Sequence, residues 1–178
     1  VAALCPGIKD SCIVINGVSK TYAMTGWRVG YAAGPRDIIK AMCSLQGHMT
    51  SNTAAINQRL HGGHAGPQDA VVRMHDEYAR RRRYMMDRLN AMSGVRCPDA
   101  KGAFYVFPNV GALYGKSDGK RTIRDSSDLA AYLLEEAHVA VVPVGLQAPE
   151  YLRLTYASSM ENIIEGMDRM EAALQKLK

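Results

Sequence analysis

Apolar positions along the chain follow two rhythms. Cys12 to Val18 opens with four apolar residues in a row. Such a run suits a buried strand of a parallel sheet covered on both faces. Trp27 to Ala33 reads as the next strand, closed by Gly34-Pro35. The rhythm then changes to helical spacing. Ile38, Ile39, Met42 and Leu45 follow Pro35, a plausible first-turn residue. A second helix is expected from Asn52 to Leu60, capped by Ser51 or Asn52. The longest helix starts near Gly66-Pro67-Gln68-Asp69 and runs to about Met92, with Val71, Met74, Tyr78, Met85 and Leu89 as its inward stripe.

Beyond it the elements shorten. Val95 to Pro98 and Gly102 to Pro108 read as strands, the second ended by its proline. Residues 112–124 are rich in Gly, Lys and Ser and read as a loop. Asp125 to His138 is an amphipathic helix with Ser126 or Ser127 as cap. Val139 to Val144 and Tyr151 to Tyr156 are strands. Ser159 to Leu177 closes the chain as a helix whose apolar face is Ile163, Ile164, Met167, Met170, Leu174 and Leu177. The first part therefore reads as α/β and the second as a small α+β domain, with a boundary inside the long helix near Arg80. The two domains are 1–80 and 81–178.

Composition narrows the picture. A length of 178 residues allows one or two domains with a sizeable core. A net charge of +5 favours anionic small molecules weakly and does not demand nucleic acid. Cys5, Cys12, Cys43 and Cys97 are scattered, so neither a zinc site nor a disulfide framework is expected. No stretch is long and apolar enough to span a membrane, and no targeting segment is recognisable, which reads as cytoplasmic. Val1 to Asp10 is a lead-in with Pro6-Gly7 as a turn. The chain begins without Met, as a fragment or processed product does. His61-Gly62-Gly63-His64 interrupts the helical pattern. It reads as an exposed turn rather than half a metal site, because no further ligand cluster lies near it. Arg80-Arg81-Arg82-Arg83 points round most of a helix circumference, so solvated charge and salt bridges explain it better than a nucleic-acid face. Gly115-Lys116-Ser117 lacks both the earlier glycine and the strand–loop–helix frame of a phosphate loop.

The candidate chemistry lies between the first two strands. Lys20 falls just past a strand end, where open α/β sheets place ligands. Arg28 comes eight residues later. Gly17, Gly26 and Gly30 allow tight turns or close approach to a ligand. An amine condenses with an aldehyde, and a guanidinium holds a phosphate through a two-pronged hydrogen bond. Pyridoxal phosphate carries both groups. Trp27 reads as core rather than as a ring stacked on a ligand.

The stretch from Asn16-Gly17-Val18-Ser19-Lys20 through Ala23-Met24-Thr25-Gly26-Trp27-Arg28-Val29-Gly30-Tyr31 resembles the cofactor-lysine segment of class I aminotransferases, in the aspartate/aromatic branch of pyridoxal-phosphate fold type I. Tyr151-Leu152-Arg153-Leu154-Thr155-Tyr156-Ala157 resembles the segment whose arginine binds the substrate α-carboxylate. The resemblance covers this whole chain but only the C-terminal half of a typical member. It implies the end of a large pyridoxal-phosphate-binding domain with a mixed, mostly parallel sheet, followed by a small α+β C-terminal domain. It implies Lys20 as the catalytic and cofactor-holding residue, Arg28 as the phosphate ligand, Arg153 as the carboxylate ligand, and no metal. The implied reaction moves an amino group between an L-amino acid and a 2-oxo acid, as in aspartate aminotransferases. Family members are homodimers. In the family the other half supplies the aspartate at the pyridine nitrogen and further phosphate donors, so the isolated chain is expected to be inactive. Val142 to Pro149 departs from the family's usual Gly-rich loop: it is shorter and lacks a phenylalanine. Two rival readings stand beside this one. The chain as it is could be a truncated, non-catalytic domain with a dimerisation or interaction role, or a basic interaction module built on Arg80 to Arg83.

Overall fold

The computed structural model describes residues 2–5, 7–61 and 66–178. The turn expected at Pro6 and, of the His61–His64 segment, residues 62–64 fall outside what is described. The chain divides into two compact units, Val1–Arg73 and Met74–Lys178.

In the first unit, β1 (Val14–Gly17) and β2 (Gly30–Ala33) form a two-stranded ribbon, followed by α1 (Arg36–Met49) and α2 (Ala55–His61). The strands pair antiparallel, with Val14 opposite Ala33 and Gly17 opposite Gly30. The mixed α/β class holds, but the pairing differs from the expectation of a mostly parallel sheet at Cys12 to Val18. The burial differs too: Ile15 is 76% exposed. Among the described residues nothing packs over Ile15, which stays in water, while Val14 is half-buried. The helical stripe of α1 is correct in spacing but not in burial, since Ile38, Met42, Leu45 and Met49 are all exposed. Trp27, expected in the core, is also exposed. Among the described residues of this unit only Val18 and Val29 are buried.

The second unit carries a core of its own. It contains most of α3 (Asp69–Ala91), then β3 (Tyr105–Val106), α4 (Ser126–Ala137), β4 (Val142–Pro143), β5 (Leu152–Thr155) and α5 (Met160–Leu174). The sheet order is β3-β5-β4, and both pairings are antiparallel. Alternation along β5 buries Leu152 and Leu154 and leaves Arg153 and Thr155 exposed. Those inward residues join Val106 of β3, Leu89 of α3, Leu129, Tyr132 and Leu133 of α4, and Met167 and Met170 of α5 in one cluster. The Tyr132 hydroxyl donates to the Ala173 carbonyl at 2.9 Å, so the one polar atom this ring brings inside is satisfied. Arg88 ties α3 to α5, with Nη2 donating to Asp168 at 2.7 Å and Glu171 at 3.0 Å.

Val95 to Pro98 forms no strand, only a bridge from Arg96 to Asn109. Gly115 to Ser117 enters a small turn instead of a helix: Ser117 bridges Thr122, and Asp118 Oδ1 accepts from the Lys120 and Arg121 amides. The α4 cap is Asp125, not either serine. Its carboxylate accepts from the Ser127 amide at 2.8 Å and the Asp128 amide at 2.9 Å. Asp125→Ala should therefore destabilise the second unit by about 1 kcal/mol in urea unfolding. Ser127→Ala should not lose a cap, and a loss there larger than at Asp125 would refute this assignment.

The arginine run on α3 is mostly engaged. Arg80 and Arg81 both donate to Glu77, at 2.9 and 2.8 Å, and Arg82 Nη1 donates to the Ala100 carbonyl at 2.6 Å. Hydrogen bonds from Arg80 and then Arg81 hold the Glu77 carboxyl down to about 2 from its ordinary 4.5. A depressed carboxyl favours the folded state above its unfolded pKa. That contribution disappears as pH falls through the window from 4.5 to about 2. Glu77→Gln should flatten the fall of the thermal midpoint across that window, and an unchanged acid limb would refute the pairing.

Candidate active site

Residues 18–29 connect β1 to β2 as a closed loop. The Val18 amide donates to the Val29 carbonyl at 3.3 Å, continuing the ribbon one step past its strands. Val18 and Val29 are the buried pair at this base, 1% and 7% exposed. Gly17 and Gly30 face each other just below. A Cβ on Gly17 would stand 3.2 Å from the Val29 carbonyl, and one on Gly30 would stand 3.3 Å from the Asn16 carbonyl. Side chains there would be tight against the facing backbone, which would have to give by a few tenths of an ångström at the root of the loop.

Inside the loop the backbone turns on itself. The Tyr22 amide donates to Val18, the Met24 amide to Ser19 and the Ala23 amide to Lys20. Lys20 lies on this turn, exposed, with its backbone held on the carbonyl side by Ala23. The turns at Ala23 and Arg28 are made without glycine: both residues take positive φ, 53° and 52°. Gly26 makes no close approach to the rest of the protein. The left-handed turn at Arg28 is paired with a hydrogen bond from its own Nη1 to the Thr25 carbonyl, at 2.8 Å. The Arg28 side chain is exposed, and no carboxylate pairs with it among the described residues.

Two residues outside the loop brace it. Asn57 on α2 donates Nδ2 to the Trp27 carbonyl at 2.7 Å. The Tyr22 hydroxyl reaches Gln68 Oε1 at 3.4 Å. Sequence reasoning missed Asn57, because nothing in the periodicity of α2 marks a polar residue that bonds across 30 positions. A cleft of about 450 Å³ opens beside the loop base, lined by Val29, Gly30, Cys43 and Gln46 among others; neither Lys20 nor Arg28 lines it.

Arg153 belongs to the second unit. It points to the exposed face of β5, opposite Val142 of β4. Its guanidinium lies over the Tyr105 ring, 4.7 Å from the centroid. No carboxylate pairs with Arg153 among the described residues. No group of three or more His, Cys, Asp or Glu side chains among the described residues could hold a metal. No helix among them is long and apolar enough to cross a membrane.

The model of the aminotransferase class I and II family matches residues 2–170. This chain belongs to that family. An aspartate aminotransferase from Streptomyces avermitilis is 46% identical over 175 residues, which is 97% of this chain and 43% of that protein. One from Geobacillus stearothermophilus is 41% identical, over 98% of this chain and 44% of its own length. Among solved structures, the aspartate aminotransferase of Rhizobium meliloti superposes with a TM-score of 0.92 at 42% identity, covering 99% of this chain and 45% of that one. An aromatic aminotransferase from Pyrococcus horikoshii gives 0.84 at 35% identity, over 98% of this chain and 46% of its own length. The chain thus spans a little under half the length of the relatives it matches, and corresponds to their C-terminal part.

Asn57→Ala should loosen the loop of this family member without unfolding the second unit. The expected result is faster amide exchange at Trp27 to Val29 and unchanged protection in α4 and α5. Unaltered exchange at the loop would show that α2 does not brace it.

Proposed function

We propose that this chain supplies the cofactor-anchoring lysine and two anion-binding arginines of a pyridoxal-phosphate-dependent aminotransferase acting on an L-amino acid and a 2-oxo acid, in the manner of aspartate aminotransferases. The observation that carries the reading is the closed loop of residues 18–29, which holds on one short connection the exposed Lys20 and the Arg28 guanidinium, the latter without a carboxylate partner among the described residues. These residues fit the cofactor's two reactive ends: an amine for its aldehyde, a guanidinium for its phosphate. When bound, the cofactor supplies the electron sink that acidifies the substrate Cα–H bond.

The chain's own residues do the rest. Lys20 Nζ would hold the aldehyde end of the cofactor, and its amine would serve as general base toward the substrate Cα proton and then as general acid. Arg28 fixes the phosphate end, so the reacting atoms do not drift during proton transfer. Arg153 takes the α-carboxylate with its in-plane N–H fork and sets the direction of the Cα–H bond. The domain assignment has the same standing: residues 1–80 as the end of the cofactor-binding domain, and 81–178 as the small domain. It is supported by a buried cluster lying wholly within the second unit. The whole enzyme is proposed to be a cytoplasmic homodimer, a setting in keeping with four free cysteines.

The rival reading, a truncated non-catalytic domain, is separated from this one by a labelling experiment. Pyridoxal phosphate is added, the adduct is reduced with borohydride, and the modified peptide is mapped. We expect weak labelling of the isolated chain and strong labelling of Lys20 once the N-terminal part of the fold is supplied. Label on other lysines alone, with that part present, would refute the assignment.

A further inference from the structure

We infer that Tyr105 is a positioning residue for Arg153, acting as a platform that fixes the plane of the guanidinium and leaves its hydrogen-bonding edge open; this rests on the proposed carboxylate role of Arg153. Tyr105 pairs with Thr155 across β3 and β5, so Arg153, two residues earlier on β5, is its diagonal neighbour on the same face. The guanidinium sits 4.7 Å from the ring centroid. A cation–ring contact uses the positive charge and commits none of the guanidinium's donors to an acceptor atom. The guanidinium carries five N–H donors, and none has a hydrogen-bond partner among the described residues. An ion pair would have restrained Arg153 equally well, but would have occupied those donors. Restraint by a ring orders a long, flexible side chain before any anion arrives, so less freedom is lost when a carboxylate binds.

Tyr105 is itself held. Its ring meets that of Phe104 at 4.4 Å, and β3 is hydrogen-bonded to β5 on its inner side. Among the described residues its hydroxyl has no hydrogen-bond partner, so the ring is the part in use. A phenylalanine should therefore serve as well.

The test compares Tyr105→Val, Tyr105→Phe and Arg153→Leu in the aminotransferase assembled with the N-terminal part of the fold. Valine suits a strand and removes the ring. It should raise KM for the amino acid about two- to tenfold, the range expected for a cation–π contact, with kcat little changed. Phenylalanine should restore the parent KM. A second readout needs no activity: in this chain alone, the Arg153 Cδ protons should lose their ring-current shift in Tyr105→Val and keep it in Tyr105→Phe. If Arg153→Leu raises KM while Tyr105→Val does not, the platform is refuted and the carboxylate role stands. If Arg153→Leu leaves KM unchanged, the carboxylate role fails, and the platform with it. If Tyr105→Phe is as impaired as Tyr105→Val, the hydroxyl is the working group and the inference is wrong.

Discussion

The pinch between Val18 and Val29 is the constraint on which the rest of the candidate site depends. Twelve residues of loop would otherwise sample many conformations, and closing them carries an entropic cost that grows with length. Here the cost is met at the base by two buried side chains, a ribbon hydrogen bond and a facing pair of glycines. Everything chemically useful hangs from that closure. Lys20 is two residues beyond one side of the pinch and Arg28 is next to the other. Arg28 spends one donor on the Thr25 carbonyl within the loop and pairs with no carboxylate among the described residues, so its charge is not cancelled there.

Burial is distributed very unevenly between the two units. From Met74 onward, helices and strands pool their apolar faces into one cluster, and polar atoms brought inside find partners. Before it, two side chains among the described residues are buried and the apolar stripe of α1 faces water. An apolar face of that width is a surface meant for covering. Family membership makes sense of this, because the solved relatives contain more than twice as much chain. The second unit behaves as a domain with its own core. The first behaves as part of a larger one.

The same unevenness decides what was legible in the sequence. The helical periods of α1, α3, α4 and α5 were read at the right places, since spacing survives whether or not the face is covered. Burial at Ile13, Ile15, Trp27 and Leu45 was not, because an apolar pattern records the surroundings a segment is built for, while exposure records those present. Lys20, Arg28 and Arg153 are proposed from local context. Asn57 and Tyr105 were not legible there, since each acts on a residue far away in sequence. Tyr105 could have been suspected from alternation alone: once β3 and β5 are paired, a tyrosine and an arginine two residues out of register share a face. The Asp125 cap was missed for a narrower reason. Asp, Ser and Ser stand in succession, and only the residue that takes extended backbone can cap.

The arginines sort themselves by what restrains them. Arg80, Arg81, Arg88, Arg121, Arg124 and Arg169 each pair with a carboxylate, so their charge is already answered within the fold. Arg28 is braced by a backbone carbonyl and Arg153 by an aromatic ring. Neither contact cancels a full positive charge, and each orients the side chain. A guanidinium held in place yet electrostatically unanswered is what an anion site requires, because an incoming phosphate or carboxylate need not displace a resident one. On that criterion Arg80 and Arg81, half of the run that is the most conspicuous basic feature of the sequence, are structural, since both are answered by Glu77.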